Sequence, residues 1–274
     1  MIVLFHSGLR LVLGAVSLWL ACILCAHAWD DVDGPAAGEP ESIGRYAAGC
    51  VIGAARLPPD GRGYQAVGLA RNRHYGHPEL VRFIESLAQQ AEAAGVGLLP
   101  VGDMSQPRGG PMIGDHASHQ VGLDVDVYFR LNLPRLPYEE REDLELPSMV
   151  DRQRRQLDER FGAAHIELLR LAASDPDVAR IFVNPLIKRA MCERQWQDRD
   201  FLRRLRPWFG HEDHMHVRLD CPSGSADCVA QPEPPADDGC GSELSSWLER
   251  DPLPSRAPGE RRAPELPMRC EALR

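Results

Sequence analysis

The stretch HASHQVGLDVDVYF, residues 116–129, joins a histidine-rich turn to the clearest strand pattern of the chain. In its second half apolar and polar residues alternate, which predicts a strand with one buried face. Asp124 and Asp126 share the other face, because residues two apart in a strand point the same way. His119 precedes Asp126 by seven residues. A helix would hold the two about 10.5 Å apart along its axis, too far for their side chains to meet at one site. We therefore predict a turn at Gly122 that leads from the histidine into the strand.

A second histidine-rich stretch, HEDHMH at 211–216, leads into another alternating segment, and we predict a strand over 214–220. His214 and His216 lie on the same face of that strand. Five of the ten histidines therefore fall in two short stretches. They are His116, His119, His211, His214 and His216. Imidazole nitrogens and carboxylate oxygens are common zinc ligands, so we predict that the two stretches meet at a zinc site.

Such a site would hold Zn²⁺ by three protein side chains and leave one position open, which is typical of a catalytic zinc rather than a structural one. Of Asp124 and Asp126, one can bind the metal while the other orients a ligand histidine. The alternative interpretation is that the histidines lie independently on surface loops.

The rest of the chain alternates between helical and extended patterns. Helices are predicted at 77–95, 154–174 and 185–192, and strands at 96–104, 123–129, 179–184 and 214–220. Residues 130–150 show little periodicity and are predicted to form an irregular insertion. The order of elements, with its long irregular connections, indicates an α+β fold class. We expect a central, mostly antiparallel sheet that carries the zinc site and is flanked by helices and long loops.

The N-terminus and the cysteines indicate export. Residues 1–28 combine Arg10, an apolar run and the cleavage signal Ala26-His27-Ala28, which predicts a secretory signal peptide. The alternative is a retained membrane anchor. Six cysteines remain after cleavage, which predicts three disulfides and leaves fifteen pairings open. A cysteine zinc cluster is the competing interpretation, but the mature chain has no C-x2-C pair. The formal net charge of −9 disfavours nucleic-acid binding.

The spacing H-x6-D from His119 to Asp126, followed by H-x-H at His214 and His216, resembles the zinc peptidases grouped with lysostaphin-type enzymes, D-Ala-D-Ala metallopeptidases and the hedgehog zinc fold. The surrounding segments GHPELVRFI, GDHASHQVGLDVDV, RIFVNPLIK, RPWFGHEDHMHVRL and DDGCGSELSSW are similar to penicillin-insensitive murein endopeptidases of the Gram-negative periplasm. This resemblance covers roughly residues 45–270.

The resemblance implies a role for each site residue. The zinc ligands would be His119, Asp126 and His216, with His116 as a further histidine close to the metal. His214 would stabilise the oxyanion and His211 would act as the base. Glu212 and Asp213 are neighbouring carboxylates whose directions stay open. The implied disulfides are Cys50–Cys270, Cys192–Cys240 and Cys221–Cys228. A further Asp/His metal pair that sometimes follows the first motif in this family has no clear counterpart, since residues 130–155 contain no histidine, and a second metal site stays open.

The function that the resemblance implies is zinc-dependent hydrolysis of D-alanyl-meso-diaminopimelyl cross-links in peptidoglycan, without inhibition by penicillin. One alternative is a zinc D,D- or L,D-carboxypeptidase that acts on stem peptides. Another is a non-catalytic zinc-containing module that binds the cell wall. We expect a periplasmic protein with no stable membrane insertion after signal removal, and a homodimer is a candidate assembly.

The predicted domain organisation has four parts. A signal peptide at 1–28 is followed by a flexible leader at 29–45 and a zinc peptidase domain at 46–249. The Pro-rich C-terminal tail at 250–274 would be tied back to the domain by a disulfide.

Overall fold

A computed structural model describes Trp29 and residues 32–112, 116–250 and 265–274. The predicted signal peptide at 1–28 lies outside the described residues. The strands are β1 Glu41–Arg45, β2 Ala48–Ile52, β3 Ala55–Arg56, β4 Asp60–Gly61, β5 Tyr64–Ala66, β6 Tyr75–Gly76, β7 Leu99–Val101, β8 Asp124–Tyr128, β9 Val150–Asp151, β10 Gln156–Leu157, β11 Val178–Val183, β12 Leu205–Pro207 and β13 His214–Leu219. The α-helices are α1 Pro78–Ala93, α2 Ala163–Ser174, α3 Pro185–Glu193, α4 Ser242–Glu249 and α5 Met268–Glu271.

A seven-stranded sheet forms the centre of the molecule, in the order β12-β11-β13-β8-β7-β5-β4. The pairs β11–β12 and β5–β7 are parallel, and the other neighbours are antiparallel. The sheet is therefore mixed but mostly antiparallel, and the predicted α+β fold class is confirmed. None of the helices in the described part of the chain is long and apolar enough to span a bilayer.

The central strands β8 and β13 bury one face completely, as their alternating sequences predict. Val125, Val127, Met215 and Val217 are each at most 1% exposed and lie in the main hydrophobic cluster. Burial of each such side chain stabilises the fold by about 1.5–3 kcal/mol. This apolar face fixes which residues of the two strands remain on the opposite face, where the histidines and aspartates lie.

Helix α1 follows the predicted pattern closely. Pro78 occupies its first turn, and the His77 side chain accepts a hydrogen bond from the backbone N–H of Glu79. Gly95 lies just beyond the end with a φ of 72°, a conformation that favours glycine. The buried side chains of the helix are Leu80, Phe83, Ile84, Leu87, Ala88 and Ala91.

Helix α2 begins nine residues later than the predicted start at 154, so that part of the prediction is wrong. Gln156–Leu157 instead forms strand β10, which pairs with β9. The Asp158 carboxylate then accepts a hydrogen bond from the backbone N–H of Arg160, which closes a turn. Asp side chains compete in this way with helical hydrogen bonding, so the helix starts only after Gly162.

The segment expected to be a flexible leader, 29–45, is ordered over its last part. Glu41–Arg45 forms strand β1 and pairs along its length with β2. Ile43 and Trp29 are each 1% exposed and pack in a second cluster with Cys50 and Cys270. Burial of these two large apolar side chains stabilises the segment. Its acidic and Gly/Pro-rich composition did not predict that burial.

Three disulfides are present, and they are the pairs that the resemblance implies. They are Cys50–Cys270, Cys192–Cys240 and Cys221–Cys228. The first joins β2 to α5, so the C-terminal residues 265–274 return to the body of the molecule. Arg269 reinforces this return by ion pairs with Glu41 and Asp227.

Candidate metal centre

The register between β8 and β13 brings the two sequence motifs side by side. His216 lies opposite Asp126, His214 opposite Tyr128, and Arg218 opposite Asp124. Directly opposed residues project from the same face of a sheet with Cβ atoms about 4.5–5.5 Å apart. The aspartates of the first motif and the histidines of the second therefore share one polar face.

A sharp turn carries His119 back onto that face. Gly122 has a φ of 69°, and a Cβ there would lie 2.9 Å from the backbone nitrogen of His77. His119 itself has a φ of 68°, which is uncommon for a residue with a side chain. Its backbone N–H donates to Asp124 Oδ2 at 2.9 Å, which holds this strained residue in place. The predicted turn at Gly122 is confirmed.

Four imidazoles converge on the Asp126 carboxylate. Asp126 Oδ1 lies 3.4 Å from His216 Nδ1, 3.5 Å from His119 Nε2 and 3.7 Å from His214 Nε2. Asp126 Oδ2 lies 3.7 Å from His116 Nδ1. Candidate residues that are far apart in the sequence are thus gathered around a single side chain.

Several atoms of this cluster are buried without a hydrogen-bond partner. Both ring nitrogens of His119 and the Oδ1 atom of Asp126 are in this state. Buried polar groups are normally satisfied, and leaving one unpaired is costly. The ligand atoms of His116, His119 and Asp126 all lie within 4.8 Å of one another. This His-His-Asp donor set fits a metal ion, which would satisfy the unpaired atoms.

Asp124 contacts one histidine of the cluster and a neighbouring arginine. Its Oδ1 atom lies 3.1 Å from His216 Nε2 and accepts a hydrogen bond from Arg218 Nε at 2.6 Å. Burial alone would raise the pKa of Asp124, but the Arg218 guanidinium and His216 hold it well below its usual range. With Nε2 engaged by this carboxylate, His216 turns its other nitrogen, Nδ1, toward Asp126.

The charge of Asp126 is stabilised by its histidine neighbours. Burial would raise the pKa of this carboxyl, but His214 and His119 hold it well below its usual range. Burial would likewise lower the pKa of His119, and Asp126 raises it. Asp126 is therefore ionised, which is the form that binds a cation.

His116 has a supporting carboxylate that the sequence analysis missed. Its Nε2 atom lies 2.8 Å from Asp103 Oδ2, and Asp103 is 3% exposed. Arg71 and Arg73 also pair with Asp103. The backbone N–H of Asp126 donates to the carbonyl of Asp103, which places Asp103, two residues after the end of β7, beside strand β8. The sequence signal was an acidic residue two positions after the apolar segment of β7.

His211 is held at the edge of the cluster in a left-handed conformation with a φ of 48°. Its ring centre lies 5.0 Å from that of His214 and 5.7 Å from that of His216. Burial, together with the charges of His214 and His216, lowers the pKa of His211 to about 3. Its Nδ1 atom is buried without a hydrogen-bond partner. The imidazole is therefore neutral at pH 7 and keeps a nitrogen free.

The two carboxylates beside His211 point in different directions. Glu212 accepts hydrogen bonds from Arg152, Ser148 and Asn184, so it anchors the 148–152 segment and faces away from the histidines. Asp213 Oδ1 instead lies 2.7 Å from His214 Nδ1 and orients that ring. All six candidate residues of the sequence analysis thus lie in one cluster, and Glu212 lies outside it.

Comparison with known proteins points to one family. A family model described as penicillin-insensitive murein endopeptidase matches residues 42–274. A protein named penicillin-insensitive murein endopeptidase from Salmonella paratyphi B is 44% identical over 254 residues, which cover 91% of this chain and 92% of the relative. Relatives of the same name from Salmonella newport and Salmonella typhi have the same identity and coverage. The matched residues include both histidine-rich stretches.

Proposed function

This chain belongs to the penicillin-insensitive murein endopeptidase family, and from this premise we propose that it is a zinc-dependent endopeptidase that hydrolyses D-alanyl-meso-diaminopimelyl cross-links in peptidoglycan. The observation that carries the proposal is the convergence of imidazoles on Asp126, with buried ligand atoms that have no other partner. Without a cation this arrangement would leave unsatisfied polar groups in a buried site.

The residues proposed to hold the zinc are His119, Asp126 and His216, and His116 is the further histidine beside them. Nitrogen and carboxylate oxygen donors suit zinc, and three protein ligands leave a position open for catalysis. Zinc bound there would supply Lewis acidity, which polarises a peptide carbonyl and lowers the pKa of water, so that hydroxide is available as the nucleophile near neutral pH. Asp124 keeps His216 in its ligating orientation, a role often taken by a carboxylate behind a ligand histidine.

His214 would stabilise the negative charge of the oxyanion, and His211 would transfer a proton. The contact from Asp213 to Nδ1 fixes the His214 ring, so its Nε2 atom faces the cluster and can donate to an oxyanion. His211 presents an unpartnered Nδ1 atom beside it and can carry a proton to the leaving amine. This chemistry uses no serine nucleophile. We therefore expect no inhibition by β-lactams, which act by acylating one.

Analysis of digested murein tests the proposal. Purified protein with zinc should convert cross-linked muropeptide dimers to monomers, which chromatography and mass spectrometry detect. A carboxypeptidase would instead remove one terminal residue and leave the dimers linked. A cell-wall-binding module would release no new amines although it binds zinc. Either of these two results would reject the endopeptidase proposal.

We place the active protein in the periplasm, with residues 1–28 as a cleaved signal peptide. A substrate in the cell wall and three disulfides both support an exported protein. Mass spectrometry of the mature N-terminus tests cleavage after Ala28. The homodimer stays a prediction, which light scattering of the purified protein tests.

A further inference from the structure

An aromatic surface lies at the β12 edge of the sheet. Trp208 follows β12 and is 52% exposed. The Trp247 ring, carried by α4, lies 5.5 Å from the Trp208 ring and 5.1 Å from that of Phe209. An exposed tryptophan that belongs to a group of rings is unusual for a surface without a binding role. We call Trp208, Phe209 and Trp247 the aromatic platform.

The aromatic platform is continuous with the candidate metal centre. The Phe182 ring lies 5.7 Å from that of Trp208. The same ring lies 5.3 Å from His216 and 6.1 Å from His211. Phe182 therefore neighbours Trp208 on one side and, on the other, a candidate zinc ligand and the candidate base. These ring contacts link the platform to the candidate metal centre.

Covalent and hydrogen bonds tie the segments that carry the platform to the body of the molecule. The Cys192–Cys240 disulfide joins α3 to the residues just before α4, and Lys188 donates to the carbonyl of Asp238 at 2.6 Å. The backbone N–H of Trp208 donates to the carbonyl of Val183 at the end of β11. Such fixed supports reduce the ordering cost of binding.

The chemistry of the rings favours a sugar. The axial C–H groups of a pyranose ring form an apolar face that stacks on an aromatic ring, and the indole N–H can still bind a polar group. The indole planes of Trp208 and Trp247 are inclined by 46°, so they do not cover each other face to face. The N-acetylated sugars of a glycan strand, amide-linked to their peptides, are uncharged, so the net charge of −9 does not repel them.

We propose that the aromatic platform binds sugar rings of the peptidoglycan glycan strand while the cross-link occupies the metal centre. This inference rests on the proposed function and adds a second part of the same substrate. A stem of about four extended residues spans about 13 Å. That reach suits a glycan strand bound beside Phe182 when the scissile bond lies at the candidate metal ligands.

Paired substrates test the proposal. Cross-linked dimers that carry their disaccharides are compared with the same dimers after an amidase has removed the sugars. Wild-type protein should have the lower KM for the sugar-bearing dimers. Trp208→Ala should remove this preference by raising that KM roughly tenfold, the loss expected for one stacking contact. Trp208→Phe should restore part of it. Tyr138→Ala is the matched control, because Tyr138 is 50% exposed and packs on Arg141, which pairs with Asp60 at the β4 edge of the sheet, opposite the β12 edge.

A binding measurement needs no turnover. Oligomers of N-acetylglucosamine, which carry no carboxylate, should bind zinc-free wild-type protein and Tyr138→Ala in a calorimetric titration, and should bind Trp208→Ala at least several-fold more weakly. Equal KM values of wild type for both kinds of dimer would overturn the platform proposal. An equal loss of both substrates in Trp208→Ala would assign the surface to the peptide and overturn it too. Cleavage of neither substrate by wild-type protein would instead reject the proposed function, and the calorimetric titration would still decide the platform: equal affinity of wild type and Trp208→Ala for the sugar oligomers would overturn it.

Discussion

Asp126 Oδ1 is the atom on which the candidate site converges. It faces three imidazole nitrogens at 3.4–3.7 Å and is buried without a hydrogen-bond donor. The histidines around it differ in the partners of their ring nitrogens. His216 has one nitrogen held by Asp124 and the other turned to Asp126, whereas His119 has both nitrogens unpartnered. These differences predict distinct outcomes when the histidines are replaced one at a time.

Replacing a proposed ligand should remove metal and activity together. His119→Ala or His216→Ala deletes one of three donors, so we expect zinc content well below one per chain and loss of murein hydrolysis. Elemental analysis after dialysis and chromatography of digested murein measure both. His74→Gln is the control, because His74 is a buried histidine that pairs with Arg56 outside the cluster. Zinc retained at full stoichiometry in both alanine variants would show that the ligands are misassigned.

Replacing the proposed base should separate metal binding from turnover. His211→Ala removes a side chain that is not a proposed ligand, so zinc should stay bound. The rate of cross-link hydrolysis should fall by roughly 10²–10⁴, the usual contribution of a general acid–base. Glu212→Gln is the neighbouring control, because Glu212 faces Arg152 and Ser148 instead of the cluster. Unchanged kcat in His211→Ala would remove this histidine from the mechanism.

At the scale of elements, the sequence predicted the strands that carry the site but not their neighbours. The alternation in β8 and β13 located both strands within one residue at each end. The register that sets His216 opposite Asp126 depends on pairing between distant segments, which no local pattern encodes. For the same reason, the contact of Asp103 with His116 and that of Phe182 with the site were not predicted. The predicted start of α2 was wrong because Asp158 forms a turn with Arg160, and this turn replaces the helix that the composition of the segment favours.

Lys188 links two elements and should give the stability a distinctive pH dependence. It lies on α3, fully buried, and donates to the carbonyls of Leu202 and Asp238. Burial, with the nearby Arg206 charge, lowers its pKa from 10.5 to about 8. The folded state thus releases this proton at lower pH than the unfolded chain. Its contribution to the free energy of unfolding therefore rises between about pH 8 and 10.5 and is constant below that window.

Comparison with Lys188→Met isolates this effect, since other groups titrate equally in both proteins. The difference in free energy of unfolding between wild type and variant should grow in favour of wild type across the window. Because Lys188 is the only lysine in the chain, one NMR signal from lysine labelled with ¹⁵N reports its pKa directly. A titration midpoint near 10.5, or a difference that does not change with pH, would contradict the prediction.

At the scale of the whole molecule, the disulfides show what composition can and cannot predict. The number of cysteines predicted three bridges but left fifteen pairings open, and family resemblance supplied the choice. Cys50–Cys270 closes a loop with a sequence separation of 220, whereas Cys221–Cys228 closes one of only 7. The first joins strand β2 to the C-terminal helix α5. The second bridges a local turn after β13.

These two bridges should contribute very different amounts to stability. In the chain-entropy model the long loop contributes about 5 kcal/mol and the short one about 2 kcal/mol. Replacement of both cysteines by serine should therefore lower the free energy of unfolding more for Cys50–Cys270 than for Cys221–Cys228, as measured by urea titration. Zinc content should be unchanged in both variants, because β8 and β13 hold the proposed ligands through their own pairing and buried face. Equal losses of stability would indicate that local packing, such as that of Trp29 and Ile43 around Cys50, governs these bridges instead of loop closure.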